Sequence, residues 1–443
     1  MTRLAMAFSA GAALTIAVGM QPVSSMQDIG LRALTPIPCP AQAWQTGDAA
    51  FEALPGAKAF FGKYDGGVYR IEIPDKWNGE LMLSAHGFVG ATGQNGSLLR
   101  VGNPLIRQHI VEQGFAWAAS SYRCNGYVPG QGLLDTMALT DLFTKFNGGA
   151  APRRVYLTGT SMGGHVTLLG MQTFPTAFAG GLAMCPASPE LFDYFTAVGA
   201  AAEVITGVQF KQGELEDDVQ RMTDRLGKPP DYTAKGRQLA SVEIQMSGGP
   251  RPFALEGLAS RFVANATAEA AVLAGSTTPS ARAMTNANAT YMIDQTFGLT
   301  STELNARVRR KPADPDVRGP SGPFPEIVPL NGKIERPLLT MHGTGDLYVP
   351  LLVEQGLKRA VTAAGTSKLL TQRLYRIAGH CGFNAAEQGR AFDDLVKWVR
   401  DGVKPDGDDV TGDLSNAGRK FTDPLRPGDP GGIRVMAPAE GRQ

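Results

Sequence analysis

The chain of 443 residues has little net charge, few histidines and cysteines, and no long basic run. Its formal net charge is +1, and no basic run is longer than RVRRK at 307–311. Nucleic-acid-binding proteins usually carry a basic patch or stripe, so this composition argues against nucleic acid as a partner. The five histidines and four cysteines are scattered, and no Cys-x-x-Cys pair occurs. The sequence therefore predicts no metal site and no cofactor.

Long apolar stretches are also scarce, and the one that is present lies at the start of the chain. A positive charge at Arg3 precedes the apolar run from Leu4 to Met20, and small residues follow at 23–25. This order is typical of a secretory signal peptide with cleavage near residue 25. A membrane anchor is the alternative, but the run is short for a span of about 20 residues and contains glycine and serine. We therefore predict a secreted or periplasmic protein without stable membrane insertion.

Apolar strand-like segments alternate with helix-like segments in two parts of the chain. Continuous apolar runs such as RRVYLTG and RPLLTMHG are typical of a parallel sheet with helices on both faces. The early segments at 68–74 and 79–87 read as strands joined by the hairpin-like turn DKWN. Between the two parts the segments are helix-like and rich in alanine. The predicted organisation is a signal peptide (1–25), an α/β core in two parts (26–185 and 336–404), a helical cap inserted between them (186–335) and a loosely packed tail (405–443).

The segment GTSMGG at 159–164 places a serine between glycines where a predicted strand gives way to a helix. Glycine and serine are common in ordinary turns. The spacing Gly-x-Ser-x-Gly is also that of the nucleophile elbow, a strained turn that holds a serine oxygen clear of the sheet. Ser161 is therefore the candidate nucleophile, and it needs a base and an acid from elsewhere in the chain.

His380 and Asp346 lie where the base and the acid are expected. His380 follows the last predicted strand, in RIAGHCGFN, and Asp346 follows the preceding strand, in LLTMHGTGDLYVP. The imidazole would take the serine proton, and the carboxylate would fix its tautomer and stabilise the imidazolium. Ordinary turn residues are the alternative interpretation. The order serine, acid, histidine favours a triad of Ser161, Asp346 and His380.

Two backbone N–H groups are needed to bind the oxyanion of a tetrahedral intermediate. Met162, directly after the serine, is predicted to supply one of them. Phe88, in the strand-end segment SAHGF, is predicted to supply the other, with Gly87 permitting close approach. His86 is expected to hold this loop, and His342 to form hydrogen bonds at its strand end, rather than to transfer protons.

The segments HGF, GTSMGG, HGTGD and AGH, in this order at successive strand ends, resemble those of the α/β-hydrolase superfamily. The resemblance spans roughly residues 65–402. It implies an α/β fold with a mostly parallel central sheet, helices on both faces and a large helical cap inserted after the strand that follows the elbow. It also implies the same triad, but it does not identify the substrate, because this fold serves many reactions.

Feruloyl esterases and tannases, which are neighbouring families, carry a cysteine directly before the serine and another directly after the histidine, and the two form a disulfide. Here Cys381 follows the histidine, but Thr160 precedes the serine, so half of that signature is absent. Four cysteines allow three pairings. Cys185, at the end of the strand next to the elbow, is the alternative partner for Cys381, and Cys39 with Cys124 forms the second predicted pair.

We expect a secreted serine hydrolase that cleaves small-molecule carboxylic esters through an acyl-enzyme intermediate. Aromatic residues of the predicted cap would line an apolar or aromatic acyl pocket, because enzyme pockets are mostly apolar with a few polar groups. The alternatives are an amidase or peptidase with the same triad, and a non-catalytic binding protein of this fold. The residues predicted to contact the substrate are Phe88, Met162, Phe192, Tyr194 and Phe195.

Overall fold

The computed structural model describes residues 43–44, 51–90, 96, 98–210, 214–275, 283–315 and 330–422. The predicted signal peptide and Cys39 lie outside these residues, so both the signal prediction and the predicted Cys39–Cys124 pair stay predictions. Among the described residues, no helix has both the length and the apolar character that a membrane span requires.

A large twisted sheet and two small strand pairs account for the strands that the structure describes. These strands are β1 (Ala43–Trp44), β2 (Ala57–Tyr64), β3 (Gly67–Pro74), β4 (Glu80–Ala85), β5 (Leu98–Leu99), β6 (Ala116–Ser120), β7 (Arg154–Thr160), β8 (Gly180–Met184), β9 (Gly227–Lys228), β10 (Asp231–Tyr232), β11 (Leu338–Gly343) and β12 (Leu370–Tyr375). The large sheet has the order β12-β11-β8-β7-β4-β6-β3-β2. Its strands from β12 to β6 run parallel, and β3 and β2 complete it antiparallel. β1 pairs with β5, and β9 with β10.

The predicted hairpin between residues 68–74 and 79–87 is wrong. β3 pairs with β2 and β6, whereas β4 lies between β6 and β7 in the middle of the sheet. The hairpin is formed instead by β2 and β3, through Asp65 and Gly66, which both have positive φ as tight hairpin turns require. β4 is buried on both faces and therefore suits a central position with parallel neighbours rather than an antiparallel edge.

Helices cover both faces of the large sheet, as the alternating pattern predicted. The helices described are α1 (Arg107–Glu112), α2 (Pro129–Phe146), α3 (Met162–Thr173), α4 (Pro189–Thr206), α5 (Leu215–Leu226), α6 (Ala234–Met246), α7 (Ala254–Gly275), α8 (Ser301–Arg307), α9 (Leu352–Ala363) and α10 (Ala385–Asp401). One apolar cluster packs α2, α3 and α9 on the first face, and a second packs α1 and α10 on the other. α10 begins at a capping box between Asn384 and Glu387 and ends at Gly402, so its bounds follow from local sequence.

The described residues between β8 and β11 are mostly helical and have their own apolar core. Helices α4 to α8 pack there around buried side chains that include Leu239, Leu258 and Phe262. The short β9–β10 hairpin interrupts the segment. The segment follows the strand after the GTSMGG turn, which is the predicted insertion point. That it acts as a cap remains a prediction.

Residues 406–422 correct the expectation of a loosely packed tail. Asp408 donates its backbone N–H to the carbonyl of Gln372, and its carboxylate accepts the N–H of Leu374, both at 2.7 Å. These bonds satisfy part of the exposed edge of β12, an edge that proteins usually cover. The segment is polar on average, but three of its apolar side chains, those of Val410, Leu414 and Ala417, are buried beside β12.

Candidate active site

Ser161 lies at the junction of β7 and α3, in a backbone conformation that is unusual for a residue with a side chain. Its φ is 59° and its ψ is −118°. Such a conformation costs about 1–3 kcal/mol and persists only where the surroundings enforce it. Here the Ser161 N–H donates to the Met184 carbonyl at 2.9 Å, and the Ser161 carbonyl accepts from Ala187 at 3.1 Å. The neighbouring strand end therefore holds the turn in place.

The glycines around Ser161 are required by packing as well as by the turn. A Cβ atom at Gly159 would lie 2.0 Å from the Gly163 carbonyl oxygen. A Cβ atom at Gly163 would lie 2.0 Å from the carbonyl oxygen of Ala85 at the end of β4. Backbone therefore approaches backbone at a distance that only glycine permits. This packing distinguishes the segment from an ordinary glycine-rich turn.

The three side chains predicted as a triad lie in one hydrogen-bonded series. The Ser161 hydroxyl is 2.8 Å from His380 Nε2, and His380 Nδ1 is 2.6 Å from Asp346 Oδ2. Asp346 is fully buried, whereas the His380 side chain is 14% exposed. With Nδ1 protonated, His380 donates to the carboxylate and leaves Nε2 free to accept the serine proton. The arrangement can therefore activate a hydroxyl for attack.

Backbone donors fix the orientation of the Asp346 carboxylate. Its Oδ1 atom accepts the N–H groups of Tyr348 and Val349, both at 3.0 Å, which leaves Oδ2 for His380. His342 lies behind this loop and contacts the Val349 carbonyl through Nε2 at 3.0 Å, as predicted for a strand-end residue. Burial lowers the pKa of His342 to about 4, so this imidazole is neutral at neutral pH.

Arg251, which no sequence pattern indicated, braces the same loop from the helical segment. Its guanidinium Nε donates to the Thr344 carbonyl at 2.6 Å, and Nη1 donates to the Gly249 carbonyl at 2.7 Å. Burial lowers the pKa of Arg251 to about 10. A contact over 93 residues of sequence leaves no local pattern, so only the folded chain reveals it.

A disulfide ties the histidine loop to the sheet. Cys185, directly after β8, is bonded to Cys381, directly after His380, and their Cα atoms are 5.4 Å apart. This confirms the predicted pairing of these two cysteines. The two sulfurs and His380 form the cysteine and histidine cluster that the described residues bring together. Because both thiols are used in the disulfide, neither is available as a thiolate metal ligand.

The segments predicted to bind an oxyanion meet at Ser161. A Cβ atom at Gly87 would lie 3.3 Å from Ser161 Cβ, so the loop carrying Phe88 passes directly over the serine. Met162 is the first residue of α3, and the first N–H groups of a helix have no partner within it. The Met162 side chain itself is buried, and its sulfur accepts the N–H of Val128. His86 holds the loop through Nδ1 and the Gly87 carbonyl, at 2.7 Å, as predicted.

The three aromatic residues predicted on α4 have different surroundings. Phe195 packs edge-on against Tyr348, whose ring centroid lies 4.9 Å from that of His380. Phe192 packs edge-on against Tyr127, at 4.9 Å between centroids. Tyr194 is buried, and its hydroxyl lies 3.4 Å from an amide nitrogen of Asn265. Phe195 is therefore the one of the three that the structure connects to His380 through a ring contact.

The remaining histidines do not join this series. His109 on α1 contacts Asp393 on α10 at 2.9 Å. His165 on α3 is buried, contacts the Tyr127 hydroxyl at 2.8 Å, and has its pKa lowered to about 4 by burial.

Tyr348 was not predicted as part of the site, although it lies two residues after Asp346 in the segment that the sequence analysis identified.

Comparisons with known proteins give distant likenesses to hydrolases. No family model matches the chain. An o-phthalyl amidase from Xanthobacter agilis is 21% identical over 423 residues, which cover 80% of this chain and 90% of the relative. Feruloyl esterase B from Aspergillus oryzae is 15% identical with a TM-score of 0.41 and covers 79% of this chain and 82% of its own. Esterase Pf2001 from Pyrococcus furiosus is 12% identical with a TM-score of 0.37 and covers 81% and 97%. Because these identities and TM-scores are low, the fold assignment rests on the strand order and the serine turn of this chain itself.

Proposed function

We propose that the chain is a serine hydrolase of the α/β-hydrolase superfamily that cleaves carboxylic esters, and its mostly parallel sheet and strained serine turn support this proposal. The observation that carries this proposal is the unbroken hydrogen-bonded series from Asp346 through His380 to Ser161. Each member comes from a different loop at the same sheet edge, which is where this architecture places catalytic groups.

In the proposed reaction, Ser161 Oγ attacks the ester carbonyl carbon while its proton passes to His380 Nε2. Asp346 accepts the hydrogen bond from Nδ1 and stabilises the imidazolium that forms. The backbone N–H groups of Met162 and Phe88 bind the oxyanion. His380 then gives the proton to the departing alkoxide, which leaves the acyl group on Ser161. A water molecule, activated by the same imidazole, attacks this acyl-enzyme and releases the acid.

We propose that the helical segment between β8 and β11 covers this site and provides the acyl pocket. Phe195 reaches Tyr348 beside His380, and Phe192 lies against Tyr127. These rings offer apolar surface to the acyl group of a substrate. An apolar or aromatic acyl group is therefore the expected preference.

The test compares the purified protein with Ser161→Ala on aryl esters of increasing acyl length and on aryl benzoates. Ser260→Ala is the matched control, since Ser260 is exposed on α7 and bonds only to the Gly257 carbonyl. We expect the ester hydrolysis of Ser161→Ala to fall to the background rate and that of Ser260→Ala to stay unchanged. Equal hydrolysis by wild type and Ser161→Ala would overturn the proposal.

Amide cleavage by the same residues is the second candidate, and the o-phthalyl amidase likeness favours it. An amide differs from an ester in its poor leaving group, which His380 must protonate as the bond breaks. Matched 4-nitroanilides and 4-nitrophenyl esters of one acyl group separate the two candidates. A kcat/KM for the anilide that equals or exceeds that for the ester would make amidase the better description.

We further propose that the protein is exported. The disulfide beside the histidine supports this, because disulfides persist outside the reducing cytosol. N-terminal sequencing of protein recovered from the periplasm or medium of an expressing cell should give a start near residue 26. An intact N-terminus on protein retained in the cytosol would contradict export.

A further inference from the structure

Helix α7 runs along the segment that carries Asp346. A Cβ atom at Gly257 would lie 1.7 Å from the Gly345 carbonyl oxygen, so the helix backbone touches that loop. Two turns later, Asn265 donates from its amide to the Leu347 carbonyl at 3.0 Å. Positions four apart share one face of a helix, so Arg261, midway between these residues, also faces the loop.

Arg261 is connected to the proposed site through one aromatic ring. Its guanidinium carbon lies 4.4 Å from the centroid of the Tyr348 ring. The Tyr348 ring centroid lies 4.9 Å from that of His380. Both distances are measured from the Tyr348 centroid, so the guanidinium carbon and the imidazole centre are no farther apart than the sum of the two. A positive charge is therefore held within reach of a small substrate bound at Ser161.

No carboxylate uses the donors of Arg261 in the part of the chain that the structure describes. The side chain forms no salt bridge and no hydrogen bond there, and its Nε atom is buried without a partner. Glu243 is close enough to interact electrostatically with it but forms no ion pair with it, and burial raises the pKa of Glu243 well above its usual value, which favours the uncharged carboxyl. Both oxygens of Asp346 are occupied by His380, Tyr348 and Val349.

We propose that Arg261 binds a carboxylate on the acyl part of the substrate, so that the preferred substrates are monoesters or monoamides of dicarboxylic acids. A guanidinium has planar, paired donors that match a carboxylate, and stacking on an aromatic ring leaves those donors at its edge free. The inference rests on the proposed function, because it assigns one more substrate group to the same site. Arg261 would act as a specificity residue and take no part in proton transfer.

The experiment uses pairs of substrates that differ in one charge. The 4-nitrophenyl monoesters of isophthalic acid and adipic acid are each compared with the compound whose free carboxyl is methylated. Wild type, Arg261→Gln and Arg261→Lys are assayed, with Arg237→Gln as the matched control, since Arg237 is an exposed arginine on the neighbouring helix α6. Labelling of Ser161 by an aryl phosphonate is measured in every variant.

We expect wild type to prefer the free acids, and Arg261→Gln to lower kcat/KM for them by about 10- to 100-fold, mainly through KM, as loss of a charge-assisted bond does. The methylated partners should change less than about threefold. Arg261→Lys should retain part of the preference, and Arg237→Gln all of it.

Two results would overturn the inference while leaving the proposed function intact. An equal loss on acids and methyl esters would mean that Arg261 acts only through the packing of Tyr348. No loss on either would mean that it does not contact the substrate. If wild type neither hydrolyses any ester nor labels at Ser161, the proposed function fails first, and this inference falls with it.

Discussion

Two buried carboxyl groups, Asp346 and Glu243, lie on opposite sides of the contact between the sheet edge and the helical segment. Asp346 accepts hydrogen bonds from His380 and from two backbone N–H groups. Glu243 accepts from Asn265 at 3.1 Å, and its Oε1 atom has no hydrogen-bond partner among the described residues. Backbone donors fixed by the fold favour a charged carboxylate, whereas burial with few donors raises the pKa of a carboxyl and favours its uncharged form. Two carboxyl side chains in the same region therefore have surroundings that favour opposite charge states.

Two arginines of the helical segment, Arg251 and Arg261, also differ in what their guanidinium groups contact. Arg251 donates to backbone carbonyls and braces the loop before Asp346. Arg261 stacks on Tyr348 and keeps its donors unused within the described residues. The Arg251 guanidinium already binds two backbone carbonyls, although its Nη2 atom is buried without a partner among the described residues, whereas Arg261 gains its partner from the substrate in our proposal. In our proposal, the residues at the sheet edge carry out the reaction and the helical segment selects the substrate.

The largest expected effect comes from replacing the two carboxyl groups by their amides. Asp346→Asn should lower kcat by about 10⁴-fold, because the amide favours the wrong imidazole tautomer. Glu243→Gln should leave kcat within about threefold, since a neutral acid and an amide are close in shape and charge. Steady-state kinetics on one aryl ester measure both. An equal loss of kcat in the two variants would contradict the difference between the Asp346 and Glu243 carboxyl groups.

Gly163→Ala should damage both stability and activity. The added methyl group would meet the Ala85 carbonyl at the end of β4, which overpacks the turn by an amount typically worth about 1–3 kcal/mol. Gly102→Ala is the control, because nothing lies within 4 Å of a Cβ atom built there. Urea unfolding of both variants gives the difference. A fully stable and active Gly163→Ala would contradict the close packing of the serine turn.

Removal of the disulfide should lower the stability of the fold more than it lowers the reactivity of Ser161. The bond joins positions 196 residues apart, and loss of a native disulfide typically costs about 2–5 kcal/mol. In a Cys185→Ala, Cys381→Ala double variant, we expect a lower Tm with Ser161 still labelled by a phosphonate. If the double variant folds fully but does not label, the disulfide positions His380 directly.

The smallest expected effect is a change in how stability depends on pH. The pKa of Glu243 is higher in the folded chain than in the unfolded chain, so the folded state holds the extra proton. Its contribution to stability is therefore full below the unfolded pKa and is lost as pH rises toward the folded value. Glu243→Gln lacks this contribution, so its stability should fall less than that of wild type between pH 5 and pH 8 in urea unfolding. Parallel profiles would contradict a protonated Glu243.

Sequence patterns located the parts of the site that follow from strand order. Ser161, Asp346 and His380 each stand at a strand end, and in a parallel sheet those ends meet at one edge, so their order along the chain is informative. The patterns did not locate Arg251, Arg261 or Tyr348 as parts of this region. Their contacts join the helical segment to the sheet, and such pairings depend on how two surfaces dock.

The same limit explains the errors in the fold. The β2–β3 pairing was missed because the pattern assigned the hairpin to the next connection along the chain, and nothing in DKWN marks a crossing to the middle of the sheet. The packing of residues 406–422 was missed because only three spaced apolar residues in a polar segment hold it. Composition describes the whole segment, whereas burial is decided residue by residue.

Reaction of the intact protein with an aryl phosphonate, followed by peptide mass spectrometry, tests the central claim most directly. We expect a single adduct on Ser161. Ser260→Ala should leave the rate of labelling unchanged, and His380→Ala should lower it to that of an ordinary serine. An adduct on another residue, or full hydrolytic activity in protein that carries an adduct on Ser161, would contradict the central claim.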